Sequence, residues 1–311
     1  MNSEYNEKIL DTANPKYDRI FWNAMRGHHN ILKAQDIGRD ESGMYLMPLG
    51  SSKRYNSKLL QRSALRDICT VIDSYDSPYD FIARDSLDRA TWIPEGAEIP
   101  LTDGMHDFDT TKSKAKKLAS IVKLDKNFLN DYGFNIEEYL TDRLSRTFAR
   151  GEDYGFINGD GIGSPFGILH PEHGASTAIE TDAITYSDIL SVFFALDPEY
   201  RDYGTWMMND ETAQDIRELK DDAGNYIWNE SSGTLLGKPV RISNAMPSAE
   251  SGECPVVFGD FSYYWIVVRK PLTVRVLNEL YALDDKMGYL GIEMLDGFLI
   301  RRKAMQALLI K

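Results

Sequence analysis

Cysteine is nearly absent: the 311 residues include two, Cys69 and Cys254, in Asp67-Ile68-Cys69-Thr70-Val71 and Cys254-Pro255-Val256-Val257. No Cys-x-x-Cys spacing occurs, so neither a disulfide framework nor a thiolate zinc site is expected. Two buried thiols fit synthesis in a reducing cytoplasm. No apolar run approaches the roughly 18 residues that a membrane-spanning helix needs. Met1 to Leu10 is polar and acidic rather than basic and then apolar, so no signal peptide is expected. Positive charge is in deficit, with 35 Lys and Arg against 48 Asp and Glu, a net charge of −13. Gripping a phosphate backbone takes clustered cations that release counterions, which argues against sequence-specific DNA binding. The same balance argues against an anionic membrane surface as a partner.

Catalytic signatures are also missing. His170-Pro171-Glu172-His173 has two histidines near a glutamate, but a zincin pair must lie one turn apart on a helix. Pro171 puts both histidines on a loop, and no third ligand is apparent. Gly159-Asp160-Gly161-Ile162-Gly163-Ser164 follows a helix instead of opening one, and its spacing fits neither dinucleotide fingerprint nor P-loop. As a calcium loop it would need an Asp where Phe156 stands and a Glu where Gly167 stands. A tight glycine turn is the expectation. No Gly-x-Ser-x-Gly elbow occurs. The pairs Asp221/Asp222 and Asp284/Asp285 are adjacent in sequence, as on solvated turns, whereas catalytic carboxylates are paired in space. No catalytic residue, cofactor site or metal site is assigned.

What is present is a folded chain. Aromatic residues make up 11%, apolar 42% and charged 27%, ordinary for a globular protein and unlike a disordered one. The length allows two or more compact units. Tyr17, Ile20, Phe21, Ala24 and Met25 have helical spacing that ends near Gly27. Gln35 to Ser52, rich in glycine, serine and charge, is expected as an extended arm. Leu59, Leu60, Leu65, Ile68, Val71 and Ile72 enter the first folded unit.

Phe81-Ile82-Ala83 and Leu118-Ala119-Ser120-Ile121-Val122 read as strands. Between them Trp92, Ile93, Ile99, Leu101 and Phe108 are sparse anchors. So long a connection in a compact domain is functional or is no loop, and its two legs could pair as a long β-hairpin. A lone hairpin needs something to pack on, and a neighbouring subunit is the simplest support. Asp103, Asp107 and Asp109 on one leg, with Lys112, Lys114, Lys116 and Lys117 after them, make a bipolar finger suited to a complementary surface. A solvated hairpin whose charges only keep it soluble fits the same residues equally well.

The strongest helix follows, with Asn135 as N-cap and Glu138 three residues on. Ile136, Tyr139, Leu140, Leu144 and Phe148 form its apolar stripe, extended by Phe156. Glu137, Asp142, Arg143, Arg146 and Arg150 lie opposite. Reaching Ile157, it would be about 33 Å long. Beyond 185, helix and strand alternate. Ser187 is read as the cap of a helix burying Ile189, Leu190, Phe193 and Phe194. Thr205 to Met208 is a strand, and Asn209 or Asp210 caps a helix through Ile216 and Leu219 that ends at Asp222-Ala223-Gly224. Strands recur at Val240–Ile242, Val256–Phe258, Tyr264–Val268 and Leu272–Val276. Leu295-Asp296-Gly297-Phe298 has a hairpin-turn signature, and Arg301 to Leu309 is a final strand. The class is α+β with largely antiparallel pairing.

Several short motifs, in order, resemble the major capsid proteins of tailed bacteriophages, whose fold is named for Hong Kong phage ninety-seven and is shared by encapsulins and the floor of the herpesvirus shell. Phe21-x-x-x-Met25-Arg26-Gly27 is similar to the arm segment, and Gly43-Met44-Tyr45-Leu46-Met47-Pro48 to the start of the folded body. Trp92-Ile93-Pro94-Glu95-Gly96-Ala97-Glu98-Ile99-Pro100 resembles the signature of the extended loop. Asp125 to Asp131 with Ile136 to Leu140 resembles the approach to a long spine helix, and Gly151 to Gly161 its acidic-aromatic-glycine end. Pro165 to Leu169, Trp206 to Asn209, Leu219 to Asp221, Leu235 to Val240, Met246-Pro247 and Phe258 to Phe261 complete the series, which covers residues 20–311.

The resemblance implies an N-terminal arm at 1–56, a peripheral domain at 57–83, 118–178 and 269–311, an extended loop at 84–117 and an axial domain at 179–268. The loop residues expected to touch a neighbouring subunit are Trp92, Glu95, Glu98, Asp103, Asp107, Asp109, Lys112, Lys114, Lys116 and Lys117. The implied function is assembly: hexamers and pentamers of the chain itself close an icosahedral shell around packaged double-stranded DNA. The DNA would be touched only weakly and non-specifically. Scaffold, portal and head-completion proteins are implied partners, no membrane is involved, and the virion, assembled in the bacterial cytoplasm, is the location. Residues 1–15 alone precede the arm match, so the scaffold is expected to be cleaved or separate. A covalent cross-link through one of the loop lysines is not expected. An encapsulin-type compartment is the alternative within the fold, with residues 16–26 as its cargo-docking helix. A carboxylate-based hydrolase is the alternative of a different class.

Overall fold

The computed structural model describes residues 11–27, 44–74, 80–83, 93–94, 108–111, 115–131, 133–221, 223–229 and 232–311. The chain begins its core with a helix, α1 (Pro15–Met25), capped by the Asn14 side chain, which accepts from the Lys16 N–H. Tyr17, Phe21, Trp22, Ala24 and Met25 are buried, so the spacing read from sequence is a core-facing stripe. β1 (Tyr45–Leu46) and α2 (Leu49–Arg62) follow. Met44, Leu46, Met47 and Ser51 are buried, and the Tyr17 hydroxyl donates to the Leu46 carbonyl at 2.7 Å. The extended arm expected over 35–52 is therefore corrected for residues 44–52, which belong to the folded body. Their apolar side chains outweigh the glycine and serine around them.

The first sheet has the order β1-β12-β13-β5, with β2 also paired to β12. Here β2 is Thr70–Asp73, β5 Lys116–Asp125, β12 Tyr264–Leu277 and β13 Lys286–Leu299. β12 is one strand with two register shifts against β13, where two strands were expected. Leu295-Asp296-Gly297-Phe298 is no turn but the end of β13. Its glycines serve packing. A Cβ on Gly291 would lie 3.2 Å from Leu144 and Phe148, and one on Gly297 2.5 Å from the Tyr264 hydroxyl and 2.9 Å from the Phe156 ring. Bare backbone there lets a helix lie close on the strand.

That helix is α4 (Ile136–Asn158), preceded by the short α3 (Lys126–Asn130). At 23 residues it is about 34 Å long. The Asn135 side chain accepts from the Glu138 N–H, while the Glu138 carboxylate meets the Asn135 side-chain amide, so only half of a capping box forms. Ile136, Leu140, Leu144 and Phe148 are buried with Phe156, and Tyr139 is half-buried. Arg143, Arg146 and Arg150 are exposed, but Glu137 and Asp142 are not a solvated face. Ser51 and Arg54 of α2 hold Glu137, and Lys58 and Arg62 hold Asp142. A charged ladder thus fastens α2 along α4, and it lowers the pKa of Asp142, chiefly through the Arg62 hydrogen bond.

The second sheet has the order β6-β14-β11-β7-β10-β9-β8. Its strands are β6 (Ser176–Thr181), β7 (Thr205–Met208), β8 (Trp228–Asn229), β9 (Thr234–Leu235), β10 (Lys238–Ile242), β11 (Val256–Gly259) and β14 (Met305–Ile310). The central strands are apolar throughout because both faces are covered. Trp206, Met208, Val256 and Phe258 point into one core with residues of the helices α5 (Tyr186–Ala195), α6 (Pro198–Arg201) and α7 (Asp210–Glu218). Met207, Val257 and Met305 point into another with Phe156 and Ile157 of α4. β14, the expected final strand, pairs with β11 and β6 in the second sheet. Residues 302–304 form a 3₁₀ turn instead of strand. Thr185, not Ser187, caps α5, in a capping box with Asp188. Phe194 is exposed, one position past the helix's inward stripe. α7 ends at Glu218, capped by Leu219, before the expected Asp222-Ala223-Gly224, and the Asn209 cap forms as expected. The class is α+β with mostly antiparallel pairs.

Candidate functional site

The segment expected as a finger has a paired base among the described residues. β3 (Asp80–Ala83) and β4 (Phe108–Thr111) are antiparallel, with Ile82 opposite Asp109, and they form a two-stranded sheet of their own. Both legs leave the first sheet at one level. β2 ends with Asp73 opposite Val268, β5 begins with Lys116 opposite Leu295, and Val268 faces Leu295. Ser74 is held there by its N–H to Val268 and by Arg269.

Of the expected contact residues, Trp92, Glu95, Glu98, Asp103, Asp107, Lys112 and Lys114 lie outside the described residues. Asp109 is placed by its backbone in β4. Lys116 and Lys117 are consecutive on β5 and so take opposite faces. The Lys116 ammonium donates to the Gly161 and Ile162 carbonyls at 2.7 Å each, fixing the turn after α4. Lys117 is exposed.

That turn is built as the glycines indicated. The Asp160 carboxylate accepts from the N–H groups of Ile162, Gly163 and Ser164 and from the Ser164 hydroxyl. These bonds, that of Ile162 foremost, bring its pKa down to about 2. His170 accepts at Nδ1 from the Glu172 and His173 N–H groups and packs edge-on against Phe166. His170 is half-buried and His173 exposed. Among the described residues no cluster of three His, Cys, Asp or Glu could hold a metal, and no helix is long and apolar enough to cross a membrane. Cys69 and Cys254 are free thiols, both pushed up in pKa by burial.

A shallow groove of about 790 Å³ runs beside α7, lined by Asp210, Gln214, Glu218, Tyr226 and Trp228 among others. Arg217 lies over the Trp228 ring at 4.8 Å, and among the described residues no nucleophile with an adjacent base converges there. Large apolar side chains are instead exposed at extremities. Leu280 and Leu283 stand at the tip of the β12–β13 hairpin, Ile162 on the Asp160 turn, Phe194 in the last turn of α5 and Tyr203 just before β7. Lys126 ties the hairpin tip to α3 through Asp285, next to exposed Phe128. Fold and surface define an α+β class whose described side-chain chemistry largely holds elements together.

The comparisons give that class its family. The model of the phage capsid family matches residues 43–309, and the chain belongs to that family. It is 28% identical over 171 residues to the major capsid protein of Klebsiella oxytoca phage phiKO2, covering 50% of this chain and 40% of that protein. It is 26% identical over 171 residues to the capsid polyprotein of Pseudomonas phage PAJU2, covering 52% and 25%. The matches thus span less than half the length of either curated relative. Among solved structures, the capsid of an empty GTA particle, computed with C5 symmetry, superposes with a TM-score of 0.66 at 26% identity, covering 79% of this chain and 89% of that one. The chain therefore stands among structural capsid proteins and not among enzymes.

Proposed function

We propose that this chain is the shell-forming subunit of a phage-type head, whose copies assemble as hexamers and pentamers into a closed icosahedral shell around double-stranded DNA. The family match over residues 43–309 carries the reading. The β3–β4 pair, whose flanking strands β2 and β5 meet the β12–β13 pair at one level on its two sides, is suited to carry a loop over a neighbouring copy. The exposed Leu280, Leu283 and Phe194 give the compact body further apolar contacts. In this reading the loop at 84–117 clamps neighbours, the unit built on the second sheet meets its copies around the symmetry axes, and the unit built on α4 and the first sheet forms the wall. Scaffold, portal and head-completion proteins are the further partners, and the head is built in the host cytoplasm. A net charge of −13 suits a wall that holds its DNA weakly.

Negative-stain microscopy with light scattering on the purified protein tests the proposal. Closed shells, or rings of five and six, are expected. A protein that stays monomeric both alone and with the other head proteins present overturns it. Shells that co-purify with an enzyme cargo would point to a compartment instead. Tight, salt-sensitive DNA binding by isolated capsomers would contradict the weak-contact reading.

A further inference from the structure

A second cluster of titratable groups lies inside the first unit. Glu152 of α4 and Glu293 of β13 are 1% and 4% exposed, and Tyr55 of α2 is 1% exposed. Arg66, in the turn after α2, donates to both Glu152 oxygens at 2.7 and 2.8 Å. The Tyr55 hydroxyl donates to Glu293 Oε1 at 2.6 Å, while Glu293 Oε2 is buried with no donor. One turn of chain is fastened at the same place: the Ser63 hydroxyl and the Ala64 N–H both donate to the Asp153 carboxylate.

Asp153, beside Glu152, has its own donors in Ser63 and Ala64, which leaves one guanidinium, Arg66, for the two carboxyls of Glu152 and Glu293. Ionising both would leave a net negative charge away from water, with one oxygen unsolvated. Two carboxyls in such a site keep a proton between them. We propose that Glu293 and Glu152 share one proton, and that this proton latches α2 and the C-terminal half of α4 onto β13, so that its loss above neutral pH loosens that junction. The groups facing Glu293 are Tyr55 from α2, Arg66 from the turn and Glu152 from α4. From β5 its partner in register is Leu118, and the adjacent Ile292 faces Thr273 of β12. The titration behaviour agrees. Glu293 is raised by burial first and by the Glu152 charge second. Burial lowers Arg66, but Glu152, aided by Glu293 and Tyr55, more than offsets that.

The sign follows from linkage. A carboxyl whose folded-state pKa is raised stabilises the fold most at low pH, and that contribution is lost as pH rises through the folded value. The latch belongs to the subunit interior, so it holds whether or not copies assemble. Infrared spectroscopy of the purified protein reads it directly. A buried protonated carboxylic-acid band is expected at neutral pH, lost in Glu293→Gln and lost from the wild type as pH is raised toward about 9.5. Over that range the wild-type denaturant midpoint should fall while that of Glu293→Gln stays flat. Absence of the band at neutral pH, its survival in Glu293→Gln, or equal pH slopes for the two proteins overturns the proposal. Should Glu293→Gln not fold, Tyr55→Phe gives a second reading. Without the hydroxyl that favours the ionised form, the band should persist to higher pH, and an unmoved or earlier loss counts against the latch.

Discussion

Substituting Gly297 by alanine adds one carbon to the tightest contact between β13 and α4. That carbon would lie 2.5 Å from the Tyr264 hydroxyl and 2.9 Å from Phe156, both buried. The Tyr264 hydroxyl donates to the Phe166 carbonyl at 2.8 Å and cannot retreat without breaking that bond. Overpacking costs about 1–3 kcal/mol and an orphaned hydroxyl about 1–3, against about 0.4–1 gained from a stiffer unfolded chain, so a net loss of about 2–4 kcal/mol is expected. Gly291 is the internal control. Its added carbon would meet only side-chain tips of Leu144, Phe148 and Leu272 at 3.2–3.3 Å. Those tips can yield by a few tenths of an ångström, and the change should stay within about 1 kcal/mol. Urea unfolding followed by tryptophan fluorescence compares the two. If Gly297→Ala matches the wild type, or Gly291→Ala is the more damaging, the close packing of α4 on β13 is wrongly described.

Arg66→Met leaves the Glu152 carboxylate buried without its cation and should cost about 3–5 kcal/mol near neutral pH. Denaturant midpoints of the variant and the wild type check it, and a variant as stable as the wild type would count against the buried pair. Asn135→Ala removes the α4 cap and should cost about 1 kcal/mol, with Asn135→Asp close to wild type in the same assay. Leu283 is fully exposed at the hairpin tip, so Leu283→Asp should leave subunit unfolding within about 0.5 kcal/mol of wild type. If the tip touches other copies, particle yield in negative stain should fall.

The features legible in the sequence were those with a local cause. The α4 stripe, its Asn135 cap, the Asn209 cap and the Asp160 turn each depend on residues a few positions apart. β13 was missed because its glycines at 288, 291 and 297 imitate turn residues, while the reason for them lies on other elements: Tyr281 at Gly288, α4 at Gly291, and Phe156 with Tyr264 at Gly297. The partners of β14 were not legible, because nothing in Met305–Ile310 distinguishes Val256–Gly259, its actual neighbour, from any other apolar strand. The Glu152–Glu293 pair joins residues far apart in the chain. Its one local sign was a glutamate inside the apolar run Ile292-Glu293-Met294-Leu295. The bipolar finger could be noticed by its length and its missing anchors, but only strand pairing shows where its feet stand.

Those feet stand close to the proton latch. β12 and β13, 14 residues each, pass through two cores. Tyr264 and Ile266 pack with Met207 and Val257, and Leu272 and Val274 with Leu140 and Leu144. α4 crosses with them, with Phe148 in one core and Phe156 in the other. Lys116, where the second leg joins the sheet, faces Leu295, and two residues along Leu118 faces Glu293. Losing the proton should therefore be felt first in the opening residues of β5. Amide exchange across Lys116–Ser120, corrected for its intrinsic pH dependence, should quicken above neutral pH in the wild type and not in Glu293→Gln, while the central strand β7 stays protected. Faster exchange confined to the second sheet, or equal in both proteins, would mean that the latch and the hairpin's feet are uncoupled.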